Sequence, residues 1–199
     1  MAKSRVRLVK PAAVQFAAEV ERLQAELAAS RARVMELEAA ADIDPLLNLL
    51  NRRGFERELR RSLAYVRRYG TAAALIYFDL DNFKPVNDRY GHAVGDDMLK
   101  AIAATLQHSI RESDVVARLG GDEFGALLWN VTESQAAARA AELEAAIGAT
   151  ILRHRGARIS VGASAGVAVL FPADAPAEAI ARADLAMYAR KRSLAQVRR

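Results

Sequence analysis

The chain has 199 residues, 52 % of them hydrophobic, a formal charge of +5 and no cysteine. That suits one packed domain with an appendage and excludes a disulfide framework or a cysteine-bound zinc. No apolar run reaches the roughly 18 residues of a membrane span, the basic Met1–Lys10 lacks a signal-peptide core, and the arginine pairs lack interleaved aromatics, so the expectation is a cytoplasmic protein with neither membrane nor nucleic acid as partner.

Residues 12–41 contain no Pro or Gly. Apolar or small residues recur at Ala13, Phe16, Val20, Leu23, Leu27, Ser30, Val34, Leu37 and Ala41, in alternating steps of three and four. That is a coiled-coil seam. With Ala13 at position a, Glu26 faces Arg31 and Arg33 faces Glu38 as g–e pairs of opposite sign, which suits a parallel homodimer. The alternative is a single helix packed on its own domain. The division expected is a helix over 1–41 and a catalytic domain over 42–199.

Pro45 breaks the helix, and Asp44 is a candidate cap. Asn51–Tyr69 reads as an amphipathic helix burying Phe55, Leu59, Leu63 and Val66, with Gly70 as its stop. Ala72–Leu80 is a continuous apolar run, the pattern of a buried central strand. Ala93–Ile110 reads as helix through Met98, Ile102, Leu106 and Ile110. Val115–Leu119 and Phe124–Trp129 form a hairpin. Glu133–Leu152 reads as helix with Ala137, Leu143, Ala146, Ile147 and Ile151 on its apolar face. Ile159–Phe171 alternates as one long strand. Ala177–Arg192 closes the chain as a helix with Ile180, Leu185 and Tyr188 inward. Strands alternating with helices around one sheet make an α/β or α+β domain.

The chemistry concentrates at Arg118-Leu-Gly-Gly-Asp-Glu-Phe124. Gly120 and Gly121 permit a tight tip and close backbone approach to a ligand. Asp122 and Glu123 put hard oxygen donors there, of the kind Mg²⁺ takes. Taken alone, the motif is also an ordinary turn with a solvated acidic pair. Asp79 ends a buried strand, where a carboxylate needs a cation or hydrogen bonds; Asp81 suits the cap of the following Asn82–Asp88 segment better. Should the tip lie beside this strand end, Asp79, Asp122 and the Leu80 carbonyl make an oxygen-rich cation site. Lys84 lies one turn on, as a phosphate partner or a solvated helix residue. Asn87 and Asp96 have the amide and carboxylate that clamp a guanine, or are turn and cap residues. His92 has no second histidine at metal spacing and reads as structural.

These residues carry a resemblance. Phe78-Asp-Leu-Asp-Asn-Phe-Lys84, Asn87-Asp-Arg-Tyr-Gly-His92, Gly95-Asp96, Arg111-Glu-Ser-Asp114, Arg118–Phe124 and Ala183-Asp-Leu-Ala-Met-Tyr188 match in order and spacing. Over about residues 42–192 the chain resembles the GGDEF family of bacterial diguanylate cyclases. The resemblance implies an α+β fold like class III nucleotide cyclases and polymerase palm domains, with a mainly antiparallel five-stranded sheet flanked by helices. It implies that two GTP give cyclic di-GMP and two pyrophosphates, each domain of a dimer supplying half the active site. Asp79, the Leu80 carbonyl and Asp122 would hold two Mg²⁺, with Mn²⁺ as a substitute. Glu123 would stand near the 3′-hydroxyl, Asn87 and Asp96 would read guanine, and Lys84 and Lys191 would hold phosphates beside Gly120 and Gly121. Arg118 would stabilise transition-state charge. Arg111 and Asp114 match the family's inhibitory product site, although Arg-x-x-Asp is also a helical salt-bridge spacing.

Two departures stand out. Residues 46–49 are Leu-Leu-Asn-Leu where the family usually has Leu-Thr-Gly-Leu, which alters the turn into the domain. A phosphate-binding arginine of the family is Ala195 here, with Arg190 or Arg192 as substitutes. Because Asp79, Gly120, Gly121, Asp122 and Glu123 are all present, an active enzyme is expected rather than a non-catalytic nucleotide receptor.

Overall fold

The computed structural model describes residues 11–40 and 42–197; the side chains of 11–14, 32, 35, 36, 38–40 and 194–197 lie outside that description, and so does Ala41. The chain divides into two compact units at Ala41/Asp42.

The first unit contains one helix, α1 (Pro11–Ala40). Within it Arg22 bridges Glu19 and Glu26, the i,i+3 and i,i+4 neighbours. Phe16, Leu23, Leu27, Val34 and Leu37 of the expected seam are 50 % to 72 % exposed, so the helix leaves its apolar stripe uncovered.

The second unit begins with a turn. Asp44 accepts from the Leu46 and Leu47 N–H groups at 3.0 and 2.9 Å, and Asn48 takes a left-handed φ of 53°. Asn tolerates that conformation almost as glycine does, so the turn survives the change from the family's usual residues. Asp44 therefore caps this turn, and Asn51 caps α2 (Arg52–Tyr69), accepting from the Gly54 N–H at 3.0 Å. Gly70, at φ 67°, closes α2 by donating to the Val66 carbonyl. Phe55, Leu59, Leu63 and Val66 are buried as their spacing requires.

Next come β1 (Ala73–Asp81), α3 (Phe83–Tyr90), α4 (His92–Ser109), β2 (Val115–Gly120), β3 (Glu123–Trp129) and α5 (Glu133–Ala149). They are followed by β4 (Leu152–His154), β5 (Ala157–Ile159), β6 (Gly162–Val169) and α6 (Pro176–Val197). The main sheet is antiparallel, in the order β2-β3-β1-β6. Side chains alternate across it. Ile76, Phe78, Leu80, Phe124 and Ala126 join α4 and α5 in one core; Leu75, Tyr77, Ala117 and Leu127 join α2 and α6 in the other.

The α+β class and helix-flanked antiparallel sheet hold, but the sheet has four strands, not five. The long strand expected over Ile159–Phe171 is divided. Ile159 pairs with Leu152 in a separate hairpin, and β6 starts at Gly162, opposite Asp81. The cause is the Arg155-Gly156 turn, where both residues have positive φ (48° and 82°), the geometry of a two-residue hairpin. That turn also shortens α5, which ends at Ala149 instead of Leu152. On α5, Leu143 and Ile147 are buried with Ala136 and Ala140, while Ile151 lies beyond the helix and is exposed.

On α6 the inward stripe is Ala179, Ala183 and Met187; Leu185 and Tyr188 are exposed. Gly166 in β6 decides this. A Cβ there would lie 2.0 Å from the Ala183 carbonyl oxygen and 2.1 Å from the Met187 nitrogen. The helix backbone rests on the strand at a point where only glycine and small neighbours fit.

Candidate active site

The β1–β3 register builds the site. Asp79 lies directly opposite Glu123, and the Leu80 N–H donates to the Asp122 carbonyl at 3.2 Å. The strand end and the hairpin tip, 40 residues apart in the chain, therefore adjoin as expected. The tip turns at Gly121, whose φ is 46°. Arg118 braces it, donating from Nε and Nη2 to the Gly121 carbonyl at 3.0 and 2.9 Å and from Nη1 to Asp44 at 3.1 Å.

Beside the tip is a cleft of about 290 Å³. Lys84, Asn87, Asp96, Arg118, Gly121 and Asp122 line it, and so do Phe83, His92 and Leu99. Six predicted residues from α3, α4 and the hairpin thus surround one space. Asn87 is placed by Gly95: a Cβ at that position would sit 1.9 Å from Asn87 Oδ1. The missing side chain lets α4 lie against the amide. His92, read as structural, is exposed on the cleft wall.

A second group stands at the sheet end. Lys191 of α6 forms an ion pair with Asp79, so the lysine expected on phosphate is here on a carboxylate. Glu123 is held from behind. Arg52 donates to it at 3.3 Å and to the Leu119 carbonyl at 2.8 Å. Tyr77 is buried on the same strand as Asp79, two residues before it. Burial first, then the Glu123 carboxylate, pushes its hydroxyl up to about 12, so it stays a proton donor at neutral pH. Sequence reasoning missed Arg52 and Tyr77. Arg52 looked like one of several solvated arginine pairs, and Tyr77 like core; only the register brings both near Glu123. Asp81 caps nothing. It is buried, accepts from Ser164 Oγ at 3.0 Å, and leaves Asn82 at φ 60° without a side-chain cap.

The donor set fits a hard divalent cation. Asp79, Asp122, Glu123 and the Leu80 carbonyl offer only oxygen, and Lys191 and Arg52 already stand against two of the carboxylates. Among the described residues no three acidic or imidazole side chains close into a cage.

Arg111 and Asp114 lie elsewhere, at the base of the β2–β3 hairpin, about 20 Å of strand from its tip. The helical salt-bridge alternative is excluded, because residues 111–114 form a turn between α4 and β2. Asp114 accepts from the Arg111 backbone N–H at 3.3 Å and from the Trp129 N–H at 3.1 Å, and the Arg111 guanidinium has no ion-pair partner among the described residues. A cleft of about 110 Å³ here adds Asn130, Gln135 and Arg139. Arg139 was not foreseen, since within the α5 pattern it is one surface arginine among many. No helix among the described residues is long and apolar enough to cross a membrane.

Comparison with known proteins agrees with this geometry. The family described as "Diguanylate cyclase, GGDEF domain" matches residues 41–196. The diguanylate cyclase TpbB of Pseudomonas aeruginosa is 38 % identical over 192 residues, covering 93 % of this chain and 44 % of that protein. The probable diguanylate cyclase DgcE of Escherichia coli is 40 % identical over 163 residues, covering 81 % of this chain and 15 % of that protein. The chain thus spans less than half the length of either relative. Among solved structures, the coiled coil and GGDEF domain of DgcB from Caulobacter crescentus, in complex with c-di-GMP, superposes with a TM-score of 0.75 at 29 % identity. That match covers 89 % of this chain and 95 % of the other. With a strand-end aspartate set against a Gly-Gly-Asp-Glu tip, and with this match over most of its length, the chain belongs to the GGDEF-domain family of diguanylate cyclases.

Proposed function

We propose that the chain condenses two GTP into cyclic di-GMP and two pyrophosphates, each of two facing domains holding one GTP. The observation that carries this reading is the β1–β3 register, which sets Asp79 and Glu123 side by side next to a cleft walled by Asn87, Asp96 and Lys84. Asn87 and Asp96 read guanine, the carboxylate accepting from N1–H and the exocyclic amine. Lys84 and Lys191 supply positive charge to the triphosphate, and Arg118 to the transition state. The 3′-hydroxyl oxygen of one GTP bonds to the α-phosphorus of the other as the bond to pyrophosphate breaks. Glu123, held by Arg52, stands to take the hydroxyl proton. The reciprocal attack closes the ring. Two Mg²⁺ or Mn²⁺ ions, held by Asp79, Asp122 and the Leu80 carbonyl, would neutralise phosphate charge and acidify the hydroxyl.

Supporting context comes from α1 and from the hairpin base. The open stripe of α1 is what a second copy covers in a parallel coil, and the DgcB neighbour includes a coiled coil. Arg111 and Asp114, with Asn130 and Arg139, form a product-binding brake; guanidinium pairs with phosphate or a guanine edge.

The test is incubation of the purified chain with GTP and Mg²⁺ and chromatography of the products. One cyclic di-GMP per two pyrophosphates is expected; GTP bound but unchanged would replace the enzyme by a nucleotide receptor. In Arg111→Ala, inhibition by added cyclic di-GMP should disappear while initial turnover stays within about twofold; persistent inhibition refutes the brake. Gly95→Ala should push Asn87 off the guanine edge and raise KM for GTP about tenfold, the worth of a guanine hydrogen bond or two. An unchanged KM would remove Asn87 from base recognition.

A further inference from the structure

A separate cleft of about 370 Å³ reaches Ser113 of the Arg111–Asp114 turn, lined by Tyr65, Thr71, Ser113, Trp129 and Asn130. One wall is aromatic. Tyr65 stands edge-on to Trp129, with ring centroids 5.5 Å apart, and meets Tyr69 at 4.5 Å. Tyr65 and Tyr69 are 49 % and 58 % exposed, and the Arg68 guanidinium sits 5.3 Å from the Tyr69 ring centre. Rings gathered at a domain surface and left half in water add little to the core, and such a patch marks a binding surface. The other wall is polar. Thr71, Ser113 and Asn130 offer two hydroxyls and an amide, and none of the three side chains has a hydrogen-bond partner among the described residues.

This cleft is joined to the Arg111 cleft. Ser113 belongs to the same turn, Asn130 lines both spaces, and the Trp129 N–H is bonded to Asp114 at 3.1 Å. The turn thus contributes to one cleft with cations and a carboxylate and to another with tilted and edge-on rings and polar groups. We propose that the Tyr65–Trp129 cleft is a base-stacking subsite for one guanine of a cyclic dinucleotide whose other half is held by Arg111 and Asp114. The proposal rests on the product-binding reading given above.

The chemistry fits this ligand. A cyclic dinucleotide presents two bases from one ring, so a grip on one half leaves the second base to cross Ser113 and Asn130. A purine face stacks on a tyrosine ring, and its edge finds the unpartnered hydroxyls and amide. Arg111, in the adjoining cleft, meets phosphate charge. Stacking of one base on an aromatic ring is worth about tenfold in affinity at the lower end of its range.

Trp129 is the only tryptophan in the chain, so its emission reports on this cleft. The full chain, freed of bound nucleotide, is titrated with cyclic di-GMP by calorimetry and by tryptophan fluorescence. The expected result is a change in Trp129 emission that saturates with the calorimetric isotherm. Tyr65→Ala should weaken binding about tenfold, whereas Tyr65→Phe, which keeps the ring, should bind as the natural chain does. Calorimetric saturation with emission unmoved overturns the proposal. So does an unchanged affinity in Tyr65→Ala, or no binding at all. GTP turnover is measured separately with product removed, and Tyr65 takes no part in it. Turnover without stacking sinks this subsite alone; stacking without turnover sinks the enzymatic reading alone.

Discussion

Asp122→Ala should abolish the proposed cyclic di-GMP synthesis, by on the order of a thousandfold or more, and leave the fold intact. The first half follows from the proposed chemistry. Condensation brings two triphosphates and a developing alkoxide together, and the cation that offsets this charge needs the tip carboxylate. The second half follows from the backbone. Asp122 is bound to the sheet through its main-chain carbonyl, which accepts from the Leu80 N–H, and its side chain faces the cleft. Truncation therefore removes a cleft carboxylate and no sheet hydrogen bond. Turnover is read by chromatography and Tm by calorimetry on the same sample. Activity within tenfold of the natural chain would falsify the assignment; a Tm drop of more than about 5 °C would mean the loss is structural instead.

Gly166→Ala, a change of one methyl group, destabilises the second unit by about 3 kcal/mol or more, lowering Tm by roughly 10 °C. The new Cβ meets main-chain atoms of Ala183 and Met187, which have no rotamer to change. The whole of α6 must lift from β6. Because α6 carries Lys191 to Asp79, the same displacement loosens the sheet end, and turnover should fall further than the loss of folded protein explains. Thermal unfolding followed by circular dichroism checks the first effect; a Tm within about 2 °C of the natural chain shows that the helix can yield.

Both predictions rest on β-sheet register, and they show where sequence reading succeeds. The α2 stripe of Phe55, Leu59, Leu63 and Val66, its Gly70 stop and the buried run of β1 were all legible, because local periodicity and left-handed turn positions are properties of neighbouring residues. The Gly-Gly tip, Asp79 and the Asn87/Asp96 pair were legible as chemistry, since a hard-oxygen cluster and a guanine clamp need those residue types. The errors came where distant contacts outweigh local pattern. Leu185 and Tyr188 looked inward by spacing, but Gly166 selects the Ala179–Ala183–Met187 face. Ile159 looked continuous with β6, but the positive φ of Arg155 and Gly156 turns the chain back first.

By itself, then, the sequence determined the class of the domain, its family, the tip that carries the carboxylates and the stripe on α1. These depend on residue type and short-range spacing, which a linear string contains. The tertiary structure decided the rest. It placed Asp79 opposite Glu123, put Lys191 on Asp79, brought Arg52 and Tyr77 near Glu123, let Asn87 lie over Gly95, and gathered Tyr65 and Trp129 beside the Arg111 turn. Each of these joins residues from separate elements, and the joining is set by strand register and helix docking. A shift of one residue in strand register would turn the same side chains to the opposite face.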